Sequence, residues 1–168
     1  MRLTRDTLLR LLEDEGVSAT TYTHPPVFTV EESNALKLDI PGAHIKNLFL
    51  KDEKGALFLV VAHHDTAINL KQLWRDLGCK RLSFGRPELL WDVLAVRPGS
   101  VTPLALLNAQ GGAITFVWDG ALDGYDLIAA HPLENTASTV MPRTQLLALL
   151  DRYGHAAVRL PESACATG

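Results

Sequence analysis

Residues 47–62, Asn47-Leu48-Phe49-Leu50-Lys51-Asp52-Glu53-Lys54-Gly55-Ala56-Leu57-Phe58-Leu59-Val60-Val61-Ala62, decide the fold class. Two apolar runs, Asn47 to Lys51 and Ala56 to Ala62, flank the polar tetrad Asp52-Glu53-Lys54-Gly55. Short apolar runs bounded by such a turn predict two strands joined as a hairpin. Further short strands are predicted at Ile114 to Trp118, Asp126 to Ala130 and Ser138 to Met141. Between them lie helical patterns. Thr4 to Glu15 gathers Leu8, Leu9, Leu11 and Leu12, with Thr4 as N-cap and Gly16 as stop. Thr29-Val30-Glu31-Glu32 has the capping-box pattern and predicts a short helix through Leu36. Asn69 followed by Gln72 repeats that logic for Leu70 to Leu77, closed by Gly78. Pro87 suits the first turn of a helix reaching Leu94, and Arg143 to Tyr153 ends at Gly154. Helices and strands alternate without a regular βα period. The expected class is therefore mixed α/β (α+β), with a central, mostly antiparallel sheet surrounded by helices.

The chain has 168 residues, enough for one domain, expected over residues 1–160, with 161–168 as a tail. Hydrophobic residues make up 47% and charged residues 21%, which excludes global disorder. A net charge of −3 argues against coating nucleic acid through bulk charge, though not against one local phosphate site. Sequence-specific DNA binding is not expected. Cys79 and Cys165 form no CxxC and no zinc spacing, so reduced thiols of a cytoplasmic protein are expected. The start, Met1-Arg2-Leu3-Thr4-Arg5-Asp6, is charged rather than an apolar export segment, and no apolar run is long enough to span a bilayer.

No GxSxG, GxxxxGK[ST] or GxGxxG occurs. His63-His64-Asp65 invites a metal reading, but adjacent histidines on a strand point to opposite faces and rarely share an ion. Three other stretches are poorly explained by local propensity. In Pro41-Gly42-Ala43-His44-Ile45-Lys46-Asn47 a turn delivers a cation and an amide to the start of a strand. In Arg97-Pro98-Gly99-Ser100-Val101-Thr102-Pro103 two prolines bracket a glycine and two hydroxyl residues. Such a loop is stiff and can present backbone N–H groups to an anion or carbonyl oxygen. In Ala129-Ala130-His131-Pro132-Leu133-Glu134-Asn135-Thr136 a histidine follows an apolar strand. Each has a plain structural reading as well: a surface lysine, a rigid connector, a satisfied histidine.

In this order, together with His24-Pro25-Pro26, these stretches resemble the YbaK/prolyl-tRNA editing family of aminoacyl-tRNA deacylases. The resemblance runs from about Thr4 to Tyr153, and Gly99 to Pro103 matches the family's GxxxP. The RPGSVTP and HPLxNTA-type forms resemble the freestanding alanyl-tRNA(Pro) deacylases more than the cysteinyl-tRNA(Pro) branch. The resemblance implies hydrolysis of the ester between an amino acid and the terminal adenosine of mischarged tRNA(Pro), with alanine as the aminoacyl group. Other branches would imply Cys-tRNA(Pro) or Ser-tRNA, and a non-catalytic tRNA- or synthetase-binding module is the alternative from another class.

By the same resemblance, Gly99, Ser100, Val101, Thr102 and Pro103 form the loop that positions the carbonyl and a water, helped by the tRNA 2′-OH. Lys46 anchors a phosphate near the 3′ end, and Asn47 holds the substrate or the loop. His131 shapes the aminoacyl pocket, with Val27 and Phe28 as pocket walls. No cofactor and no metal are implied. The implied partners are the acceptor end of tRNA(Pro) and a prolyl-tRNA synthetase. Lys71, Arg75, Lys80, Arg81 and Arg86 form a cationic stretch that reads either as a solvated face or as a contact for tRNA phosphates.

Overall fold

The computed structural model describes residues 2–26 and 40–166. The helix expected at Thr29 to Leu36 lies outside the described residues, as do Val27 and Phe28.

The hairpin forms the middle of the sheet. Strand β2 (Ala43–Asp52) pairs antiparallel with β3 (Leu57–His63), from Ile45 opposite His63 to Lys51 opposite Leu57. Asp52 closes the turn: its side chain accepts from the amides of Lys54 and Ala56, each at 2.9 Å. β2 starts four residues before the predicted Asn47. The Pro41-Gly42 turn seats its first residues beside β7 (Leu127–Ala130) in parallel, Ala43 opposite Ile128 and His44 opposite Ala129. Gly42 is needed there, since its φ is +90° and a Cβ would lie 3.0 Å from the Leu127 carbonyl oxygen.

Around this pair the order is β1-β8-β7-β2-β3-β6-β9, with β5 (Leu82–Phe84) added to the far end of β2. Here β1 is Thr20–Thr23, β6 Ile114–Trp118, β8 Ala137–Pro142 and β9 Val158–Arg159. The β1–β8, β8–β7, β2–β3 and β2–β5 pairings are antiparallel; β7–β2, β3–β6 and β6–β9 are parallel. The sheet is thus mostly antiparallel, as expected.

Strand alternation sends Ala43, Ile45 and Phe49 of β2 into the larger core, with Leu59 and Val61 of β3. Helices α1 (Arg5–Asp14), α3 (Pro87–Leu94) and α4 (Arg143–Arg152) cover that face with Leu8 and Leu12, Leu90 and Leu94, and Leu146, Leu149 and Leu150. The opposite face carries Leu50, Phe58 and Val60 against Leu73 of α2 (Leu70–Leu77). Thr4 caps α1 through a reciprocal box with Thr7. The cap of α2 is one-sided: Asn69 accepts from the Gln72 amide, while the Gln72 side chain donates to Asp76 instead. The residues read as a tail are packed through Ala166. Ala164 is fully buried, and β10 (Cys165–Ala166) pairs with β4 (Ala67–Ile68).

Candidate active site

The register of β2 and β7 places the first part of the site. Their pairing stops at His44 and Ala129. Lys46 lies two residues further along β2, on the face of His44, and His131 follows directly on Ala130, the last residue of β7. Both come just after the point where the two strands cease to pair. Lys46 is half-buried and forms no ion pair among the described residues.

His131 is held by its own loop. Its Nδ1 lies 2.9 Å from the Ala137 carbonyl oxygen, and since a carbonyl only accepts, Nδ1 carries the proton. Burial lowers the His131 pKa first and the nearby His24 lowers it further, against the opposing effect of the Ala137 bond. The ring is thus kept neutral, with Nε2 left as an acceptor. His24, itself buried, sits 6.4 Å away between centroids. It donates from Nδ1 to the Pro25 carbonyl, and its Nε2 shares a hydrogen bond with the Ser138 hydroxyl, both at 2.9 Å. The sequence alone did not single out His24 or Ser138 as supports of His131, because their pairing depends on β1 lying beside β8.

Asn47 leaves β2 on the other face, with Ile45 and Phe49. Its side-chain oxygen is buried and has no hydrogen-bond partner among the described residues. Lys46 and Asn47, adjacent in sequence, therefore act on opposite sides of the strand. The Asn47 side is also that of the Gly99–Pro103 loop, whose Val101 packs against the larger core and whose Leu104 and Ala105 belong to it.

That loop is rigid at both ends. Gly99 has φ +91°, a conformation L side chains rarely adopt. The Ser100 amide donates to the Arg97 carbonyl at 3.0 Å. The Thr102 hydroxyl caps the 3-10 turn Pro103–Asn108 by accepting from the Leu104 amide, and Thr102 and Pro103 are fully buried. The amides of Gly99, Val101 and Thr102 find no acceptor among the described residues. Gly99 is exposed and Val101 half-buried, so their amides are open to an oxygen from outside, while Thr102 is buried. The expectation that the whole loop offers amides narrows here, because that of Ser100 is already used. The His131–Thr136 stretch reaches the same loop: Asn135 Nδ2 lies 3.7 Å from where a Cβ on Gly99 would be.

His63 and His64 do not behave as a continuous strand would make them. β3 ends at His63, so alternation stops there and the rings lie 4.3 Å apart, with both histidines and Asp65 offering ligand atoms within 4.8 Å. The lone pairs are partly used, however. His63 Nδ1 accepts from the Asp65 amide at 3.1 Å, and its ring stacks on Tyr125. His64 donates from Nδ1 to the His44 carbonyl and faces Asp65 across 3.2 Å. The backbone and ring of His64 tie this turn to the His44 carbonyl of β2.

The sequence model of a family described as the aminoacyl-tRNA editing domain matches residues 24–149, which contain all the residues above. The chain belongs to this family. As an aminoacyl-tRNA editing domain it is a hydrolase, an aminoacyl-tRNA deacylase. Among similar proteins is "Prolyl-tRNA synthetase associated domain-containing protein 1" of Danio rerio, 38% identical over 93% of this chain and 86% of that protein. The "Prolyl-tRNA editing protein ProX" of Acetoanaerobium sticklandii is 32% identical over 90% of this chain and 93% of its own length. A solved structure described as "a putative trans-editing enzyme for prolyl tRNA synthetase" has the same fold, with a TM-score of 0.70 at 21% identity, covering 96% of this chain and 99% of that one. Among the described residues no helix of the editing domain is long and apolar enough to cross a membrane.

Proposed function

We propose that this editing domain acts in trans on mischarged tRNA(Pro) and removes alanine from it. The observation that carries this reading is the set of unspent amides at Gly99, Val101 and Thr102, beside the buried, unpartnered Asn47 oxygen's face of the sheet. The names of the similar proteins from Danio rerio and Acetoanaerobium sticklandii support tRNA(Pro) as the carrier and a prolyl-tRNA synthetase as the system served.

The ester is already activated, so the enzyme has to position it and stabilise charge. The loop amides receive the aminoacyl carbonyl oxygen as it becomes an oxyanion; removing one such donor typically costs about 100- to 1000-fold in rate. A water held by the same backbone attacks the carbonyl, and the terminal ribose 2′-OH assists in moving its proton. The ester C–O bond then breaks and the 3′ oxygen leaves protonated. Lys46 holds a phosphate near the 3′ end as a point cation, Asn47 orients the loop or the substrate, and His131 bounds the aminoacyl pocket. The exposed cations Lys71, Arg75, Lys80, Arg81 and Arg86, none of them in an ion pair among the described residues, suit the acceptor stem.

Selection of alanine over proline is steric. A synthetase site built for proline rejects a smaller side chain by only ~1–3 kcal/mol per methylene, whereas a smaller second pocket excludes proline outright. Deacylation of tRNA(Pro) charged with alanine, cysteine, serine or proline tests the assignment. Alanine is expected to be released fastest; preferred release of cysteine or serine would reassign the substrate.

A further inference from the structure

Two arginines are held against one exposed tryptophan beside the loop. Trp91, on the last turn of α3, is 38% exposed. The Arg97 guanidinium lies over its ring, 3.9 Å from the centroid, and that of Arg2 lies 5.6 Å from it. Arg2 is fixed further by donating to the Asp92 carbonyl at 2.9 Å. Neither arginine forms an ion pair among the described residues. In a chain of net charge −3, two cations are thus gathered on an aromatic face without a carboxylate partner among the described residues.

Stacking uses the face of a guanidinium and leaves its edge N–H donors free, the geometry that grips a phosphate in a bidentate way. The exposed indole adds a surface on which a base can stack, and a cation–aromatic platform of this kind suits single-stranded RNA. Arg97 is two residues from Gly99, so their Cα atoms cannot be more than about 7.6 Å apart. An ester seated on the loop amides brings the last phosphates of its RNA within reach of an arginine side chain at that distance.

We propose that Arg97, Trp91 and Arg2 form the docking point for the single-stranded 3′ end of the substrate RNA, the guanidiniums taking phosphates and the indole a base. The proposal rests on the reading of the chain as an aminoacyl-tRNA deacylase.

The test measures binding of a short single-stranded RNA ending in CCA to the full chain over a range of salt, for the wild type, Arg97→Gln, Trp91→Leu and Lys54→Gln. The last removes a cation of the β2–β3 turn. Arg97→Gln is expected to weaken binding roughly fivefold and to reduce the salt slope by about 0.7, the value for one phosphate contact on a single strand. Trp91→Leu is expected to weaken binding by a similar factor, and Lys54→Gln to change neither quantity. The KM for charged tRNA is expected to rise in Arg97→Gln with a smaller change in kcat, and thermal melting checks that each variant is folded. Unchanged affinity and salt slope in folded Arg97→Gln would overturn the proposal, as would an equal loss in Lys54→Gln. A wild type that binds the RNA through Arg97 yet hydrolyses no charged tRNA would remove the enzymatic reading and leave the docking point standing.

Discussion

The two halves of β2 have opposite tasks. From Leu48 to Asp52 the strand is built for stability: Phe49 and Leu50 are buried on opposite faces, and β3 and β5 pair with it on its two sides. From His44 to Asn47 the same strand carries polar side chains, pairing with β7 ends at His44, and the buried Asn47 oxygen is left without a partner. A single strand thus converts a well-packed core into a positioned site. The rigidity of the far half holds Lys46 and Asn47 on opposite faces. Substitutions in one half should act on stability and in the other on chemistry.

The largest expected effect is in the polar half. Lys46→Ala is expected to lower deacylation by roughly 100-fold or more, on the scale of removing a principal charge-stabilising group, with little change in melting temperature. A folded, fully active variant would remove Lys46 from the site. The mirror experiment is Leu50→Ala, expected to lower unfolding free energy by about 2–5 kcal/mol, while the folded fraction keeps its rate. Denaturant unfolding together with activity per folded molecule separates the two. Asn47→Leu sharpens the contrast further. Its buried oxygen has no partner among the described residues, so stability should hold or rise slightly while deacylation falls about tenfold, the loss of one substrate or loop contact. A loss of stability with unaltered activity would make Asn47 a core residue.

The smallest effect is at the far end of β2. Burial acts to raise the Asp52 pKa, but the amides of Ala56, Lys80 and Lys54 and the Lys54 charge together hold it below its ordinary value. A carboxylate depressed in this way contributes stability that is fully present above the unfolded value, about pH 3.9, and is lost as pH falls through the lower folded value. Asp52→Asn is expected to flatten the acid limb of unfolding below about pH 4 without affecting activity. An acid limb unchanged in the variant would show that the turn does not depend on the charge.

Much of this contrast was legible in the sequence. The hairpin stood out because both apolar runs and their turn are local, and the ends of α2 and α4 were marked by Gly78 and Gly154. The start of β2 was hidden because His44, Lys46 and Asn47 break its apolar run, and only the tertiary partner β7 makes those residues a strand. β1, with Thr20, Thr21, Tyr22 and Thr23, carried β-branched residues that signal a strand, but its partner β8 lies more than a hundred residues away. Lys46, the GxxxP loop and His131 enter as candidate site residues through family resemblance alone. Which loop amides remain free was not, since that depends on the turn that uses the Ser100 amide. His24 and Asn135 were noticed only as parts of motifs, because their contacts to Ser138 and Gly99 join distant segments.

In the proposed reaction the rigid loop and the polar half of β2 together hydrolyse an alanyl ester and exclude a prolyl one. Single-turnover deacylation of Ala-tRNA(Pro) and Pro-tRNA(Pro) by the wild-type chain tests it most directly. Alanine is expected to be released much faster than proline. Equal rates on the two, or no release of either, would contradict it.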